Sequence, residues 1–371
     1  MSKLYNIPLM VPDIRQEDID VVVEVLRSGM LVQGKWVEKL EEEIARYLRV
    51  KHAIAVSSGT ASLHLALVAL GIGLGDEVIV PAFSFVATAN VVEVVGAKPV
   101  FVDIDIDSFN INTSQIEQVV TEKTKAIMPV HEFGLACDIT KVMEIATKYD
   151  LKVIEDAACA LGAQENGKFV GSFGDIGSFS FHPRKAITSG EGGILTTNDS
   201  HLANNLRMLR NHGISYVNDS IFFSTAGLNY RMTDYQAALL VSQLGRFEQL
   251  LKTRNEYARL YNKYLGECDF IKLPMVFSNK RHTWQSFHVL VKSDRDRIVK
   301  RLSNLGIGCN LGAQCIPSLQ YYTNRYGFNG EELYPNASLA YKQGLVIPLY
   351  PSLVTKDILA VANELKKIWH E

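Results

Sequence analysis

The chain has 371 residues, 47% hydrophobic and 21% charged, enough apolar mass for a large core and roughly two domains. Its 38 basic residues against 40 acidic ones leave a net charge of −2, and no long run of like charge points to nucleic acid or an anionic membrane. The 5 cysteines are odd in number and include no C-x-x-C spacing, so neither a disulfide framework nor a zinc site is expected.

The opening MSKLYNIPLMVPDI lacks a basic segment followed by a long apolar one, so no signal peptide is expected. With no apolar run of about 18 residues anywhere, no bilayer span is expected either, and the reading is a reducing, cytoplasmic enzyme. Residues 15–49 carry helical periodicity, with Ile19, Val22, Val23 and Leu26, then Leu40, Ile44 and Leu48, around the punctuation of Gly29 and Gly34.

Ala53–Val56 reads as a short buried strand. Ser57, Ser58 and Gly59 form a turn, and from Thr60 a helix runs with Leu63, Leu67 and Leu70 on one face to a stop at Gly71. Such a junction aims free backbone N–H groups and the positive end of a helix dipole at one spot, which suits an anion. A plain βα turn with a hydroxyl cap is the bland alternative.

Alternation continues. Strands are expected at 77–81, 99–104, 125–131, 152–156, 176–181 and 193–198. Helices are expected from near Phe85, over 114–121, from Asp138 to Tyr149, and over 200–210. This pattern predicts an α/β fold with a mainly parallel sheet covered by helices on both faces. Ligands in such sheets sit at the carboxyl ends of the strands, where Asp156, His131 and the Ser58–Thr60 turn fall. Segment 211–232 reads as irregular, and 233–265 as one long helix leading to a second unit. From about 270, a strand at 286–291, a helix after it and a closing helix at 355–369 suggest a small α+β domain. The expected division is 1–245, a large domain, and 246–371, a small one.

Lys185 lies in SFHPRKAITSGEGG, between a strand and a glycine-rich turn. Burial or a nearby cation would lower its pKa and make it a nucleophile towards carbonyls. Alone, it reads as a surface lysine. Together with the anion cradle and the Asp156 carboxylate it matches the needs of pyridoxal phosphate (PLP). PLP requires N–H donors for its phosphate, an acid beside its ring nitrogen, and a lysine for its aldehyde. Ser180 could also reach the phosphate, and Phe85 could lie on the ring.

These motifs, with LRSGMLVQGKWVEKLEEEIARYL, SSGTASLHLAL, GDEVIVPAFSFVATAN, VIEDAACALGA, GLNYRMTDYQAALL and IPLYPSL, resemble the DegT-type family of nucleotide-sugar aminotransferases over nearly the whole chain. The resemblance implies the aspartate aminotransferase fold, PLP transferase type I. It implies that Lys185 holds PLP and moves the proton, that Asp156 partners the pyridine nitrogen, and that Ser58, Gly59, Thr60 and Ser180 cradle the phosphate. Phe85 would stack on the ring, and Asn229 would reach the phosphate of a neighbouring subunit, in a homodimer with shared active sites. Three departures stand out. Cys159 replaces a Gln or His near the PLP hydroxyl, and a thiol is a weak hydrogen bonder. Glu132 follows His131 where Leu is common. Gly312–Ser318 differs from the family's H-Y-x-P-L-H.

The implied reaction transfers an amino group from L-glutamate to a nucleotide-linked 4-keto-6-deoxysugar. SFHP and GEGG around Lys185 resemble the group acting at C4 more than the group acting at C3, which remains the alternative. A silent binder or regulator on the same fold is the other, and a dehydratase would carry histidine at 185.

Overall fold

The computed structural model describes residues 4–370 apart from 219 and 293. Its largest sheet is built from seven apolar stretches: β1 (His52–Val56), β2 (Glu77–Pro81), β3 (Lys98–Val102), β4 (Thr124–Ile127), β5 (Lys152–Asp156), β6 (Ile176–Ser180) and β7 (Gly193–Thr197). Their order across the sheet is β1-β7-β6-β5-β4-β2-β3. Only β7 runs against its neighbours; the remaining pairs are parallel.

Side chains alternate between the faces, as the period of two requires. Ile54, Val56, Val78, Val80, Ile154 and Leu195 join one buried cluster. Ala53, Ala55, Phe179 and Ile194 join a second on the opposite face, and Ile79, Ile127 and Val153 a third. Each of these larger aliphatic side chains contributes about 1.5–3 kcal/mol by leaving water.

Helices cover both faces, as the alternation predicts. The first cluster holds residues of α3 (Gly59–Ala69), α4 (Ala87–Val94) and α6 (Ser200–Arg210). α2 (Lys35–Leu48) and α7 (Asp234–Leu244) lie in the second, and α5 (Ile139–Tyr149) in the third. Before α2, helix α1 (Gln16–Ser28) leaves Ile19 and Leu26 exposed. α2 begins at Gly34, which has no capping side chain. Asp234 supplies the cap from 200 residues away, accepting the Gly34 N–H at 2.8 Å and the Val37 N–H at 3.1 Å.

A second sheet orders β8 (Ile271–Lys272), β9 (Phe287–Val291) and β10 (Gly344–Ile347), all antiparallel. It packs with α8 (Phe247–Leu265), α9 (Arg295–Leu305) and α10 (Thr355–His370) around a separate core that includes Tyr261, Phe287, Leu302, Ile347 and Ile358. We propose that the chain divides near 245–246, since most of this core lies beyond that point. Segment 313–340 crosses back: Cys315, Ile316, Tyr322 and Ala337 pack into the first cluster, and Gln314–Cys315 pairs with Phe83–Ser84.

Four stretches differ from their expected form. The 125–131 strand ends at Ile127, two residues before Pro129, which has no N–H to give a ladder. The helix expected over 114–121 is one α-turn at Thr113–Ile116 and a 3-10 turn, because Val119, Val120 and Thr121 are poor helix formers. The irregular 211–232 contains a hairpin, Ile214–Val217 against Ser220–Phe223, turning through Asn218 at φ 47°. The long helix breaks at Gly245–Arg246, where Arg246 is drawn to Asp13 and Asp18 at 3.0 and 2.5 Å.

Candidate active site

The carboxyl ends of β1, β2, β5 and β6 open into a cavity of about 540 Å³, which the 310–313 loop and Val346–Leu349 close from the other side. Ser58, Gly59, Thr60, Phe85, Asp156, Cys159, Ser180 and Lys185 all line it. Asn229 does not; it is exposed, with its backbone bridged to Asn211.

At the first corner stands the start of α3. The Ser58 hydroxyl accepts the Ala61 N–H at 3.0 Å, leaving the Gly59 and Thr60 N–H groups of the first turn for an outside acceptor. Glycine is required at 59 because a Cβ there would stand 2.8 Å from Ser180 Cβ. The approach brings the Ser180 hydroxyl beside the same N–H groups. Helix dipole, amides and hydroxyl together form an anion cradle.

Asp156 ends β5, buried beneath the cavity. Thr88 Oγ1 donates to its Oδ2 at 2.8 Å, and the Ala158 N–H reaches Oδ1 at 3.2 Å. Burial, the largest influence, raises its carboxyl above the ordinary value despite these donors. A cationic partner would reverse that balance.

Lys185 Nζ donates to Cys159 Sγ at 3.0 Å. Burial is the largest single influence on the amine and would lower it, but Cys159, Asp156 and Glu132 together outweigh burial. The amine therefore stands above its ordinary value, which corrects the expectation of a lowered one. It must lose a proton before it can attack a carbonyl.

His131 was expected at a strand end facing ligand. It is fully buried instead: its Nδ1 accepts the Cys137 N–H at 3.1 Å, so Nε2 carries the proton given to Glu155 at 3.0 Å. Glu155 also accepts the N–H groups of Gly171, Phe173 and Gly174 at 2.7, 2.7 and 2.8 Å. Burial is the largest influence and opposes ionisation, but His131 and these N–H groups hold the carboxyl below its usual range. The His131 backbone N–H also donates to the Asp156 carbonyl at 3.0 Å, so the pair braces the strand end that carries Asp156.

Sequence reasoning missed Thr88, although it lies three residues after Phe85 on the adjoining turn of α4. It also missed Arg254, which is buried and donates to the carbonyls of Trp284, Gln285 and Leu349 at 3.0, 3.3 and 3.2 Å. Burial lowers its guanidinium to about 10, so the cation persists at neutral pH and holds two walls of the cavity.

The DegT/DnrJ/EryC1/StrS aminotransferase family matches residues 12–366. The chain belongs to this family. It is 42% identical to the GDP-perosamine synthase of Caulobacter vibrioides, over 83% of this chain and 84% of that one. It is 37% identical to the spore coat polysaccharide biosynthesis protein SpsC of Bacillus subtilis, over 98% and 97%. Among solved structures, the PLP form of the putative sugar aminotransferase Spr1654 from Streptococcus pneumoniae superposes with a TM-score of 0.93, 30% identity and 98% coverage of both chains.

The protein is therefore a PLP-dependent sugar aminotransferase. The cavity fits the cofactor on its own donors: an anion cradle, a buried carboxyl with no ion-pair contact among the described residues, and an amine across one space. Among the described residues, no helix is long and apolar enough to cross a membrane.

Proposed function

We propose that this aminotransferase converts a nucleotide-linked 4-keto-6-deoxysugar to the 4-amino sugar, with L-glutamate as donor, in the cytoplasm. The observation that carries the reading is the convergence of Lys185, Asp156 and the α3 cradle on one cavity. PLP, when bound, supplies an aldehyde that carries the amino group and a ring that draws electrons. Gly59, Thr60 and Ser180 would hold the phosphate, and Asp156 would keep the ring nitrogen protonated. Phe85, 63% exposed at the cavity wall, is free to lie on the ring. Lys185 Nζ would hold the cofactor at rest and, once released, take up and return one proton.

A GDP-linked sugar in a relative's name supports the nucleotide linkage. The SFHP and GEGG segments around Lys185 support C4 over C3. A homodimer with shared sites is supported by exposed apolar side chains: Leu26, Met30, Val32, Ile221, Phe223 and Leu228. In that assembly Asn229 would serve the partner's phosphate.

The test incubates the holoenzyme with glutamate and a panel of keto-sugar nucleotides, with NMR of the product. A 4-amino sugar is expected. A 3-amino product would move the reading to C3, and no product with any member would remove the proposed substrate class. Lys185→Ala should bind pyridoxamine phosphate yet fail to turn over; normal turnover would remove its assigned role.

A further inference from the structure

Glu132 is almost wholly buried, lines the cavity, and its Oε2 has no hydrogen-bond partner among the described residues. Leaving such an oxygen unsatisfied costs free energy unless a ligand supplies the partner. Its aim is built rather than accidental. The Glu132 N–H donates to Asn110 Oδ1 at 2.8 Å, and Asn110 Nδ2 holds the Leu135 carbonyl of the same loop at 3.2 Å. Phe133, next in the chain, sits in the left-handed region at φ 53° and stacks on His288 at 4.4 Å.

The charged groups that face Glu132 are those of the cofactor floor: Asp156 from β5, and Lys185 from its loop, with Cys159 also coupled to it. His182, Arg184 and Glu191 line the same cavity. Burial first, then Asp156, push the Glu132 carboxyl up to about 8, so at neutral pH it carries a proton and is a donor.

The ring hydroxyl of PLP is ortho to its aldehyde. Whatever nitrogen bonds the aldehyde carbon therefore lies beside that oxygen. Of the side chains that act on Lys185 Nζ, Asp156 is assigned to the ring nitrogen, which leaves Cys159, a weak hydrogen bonder, and Glu132 for the oxygen. We propose that protonated Glu132 donates a hydrogen bond to the ring hydroxyl oxygen of PLP, beside the Lys185 linkage. The proposal rests on the reading that Lys185 holds the cofactor.

A donor at that oxygen stabilises its negative form and weakens its pull on the proton of the linkage nitrogen. The pH midpoint of the cofactor's absorbance change is then low. In Glu132→Leu holoenzyme the midpoint should rise by about one unit, and PLP dissociation should increase about tenfold. Glu132→Gln, which retains an N–H donor, should restore both to near wild type. The wild-type holoenzyme should show an infrared band of a protonated carboxyl that Glu132→Gln removes.

An unchanged or lowered midpoint in Glu132→Leu overturns the proposal, as does a Gln variant that behaves like Leu. So does the absence of the infrared band, which needs only the wild type and the isosteric variant. A Lys185→Ala protein that keeps the wild-type absorbance would instead remove the reading beneath it, and the proposal with it.

Discussion

Gly59→Ala tests the anion cradle through a single carbon atom. The new Cβ would stand 2.8 Å from Ser180 Cβ and 3.2 Å from its Oγ. Ordinary contact begins near 3.4 Å, so the start of α3 or the end of β6 must give by about 0.6 Å. β6 is held on both sides, by β5 and β7, and Ser62 of α3 is hydrogen-bonded to Ser178, so neither side moves freely. Overpacking of this kind costs about 1–3 kcal/mol. If half of that falls on the cradle amides, PLP affinity drops by roughly 2–13-fold. The assay is PLP titration of the apo-protein by fluorescence quenching, with a thermal melt beside it. Ser180→Gly then separates clash from chemistry. It loses the proposed phosphate donor but removes the obstructing Cβ, leaving Ser180 Cα, at 3.4 Å, as the nearest atom. In that background Gly59→Ala should cost almost nothing, since alanine is the better helix former. Wild-type affinity in Gly59→Ala, or an equal penalty in both backgrounds, would refute the steric reasoning.

Asp156→Ala should weaken PLP retention at least about tenfold, measured by dialysis, because the charge-assisted hydrogen bond proposed for the ring nitrogen is lost; full retention would mean the ring nitrogen has another partner. Because the Lys185 amine stands above its ordinary value and attacks only when neutral, covalent capture of PLP by the apo-protein should quicken as pH rises. A stopped-flow rate that stays flat from about pH 6 to 9 would contradict that. Glu155, with its folded-state carboxyl below the ordinary value of 4.5, contributes stability that is present above that pH and lost as pH falls through the folded value. Glu155→Gln should cost about 3 kcal/mol at neutral pH and much less at pH values below that window, read by urea denaturation; an equal cost at both would place the stabilisation outside ionisation.

Much of the architecture was readable from local pattern. Strands buried on both faces are short apolar runs, and in this chain they alternate with helix-length segments, so a parallel sheet follows from sequence periodicity. The same logic placed the Ser58–Thr60 turn, Asp156 and Lys185 at strand ends. What periodicity could not reveal was partnership between distant residues. Nothing local to Gly34 announces that Asp234 will cap α2, and nothing local to Arg246 announces that Asp13 and Asp18 will break the helix there.

The active site divides along the same line. Residue type and strand position by themselves determined which groups could bind a phosphate, a ring nitrogen and an aldehyde. Only the tertiary structure decided their protonation. Lys185 is raised rather than lowered because acidic neighbours, Cys159 and Asp156 foremost, outweigh burial. His131 turns away from the cavity because Glu155 claims it, while Glu132, one residue on, is left buried and protonated, with one carboxyl oxygen unpartnered among the described residues. Charge states depend on desolvation and on distances through space, and neither quantity exists until the chain has folded.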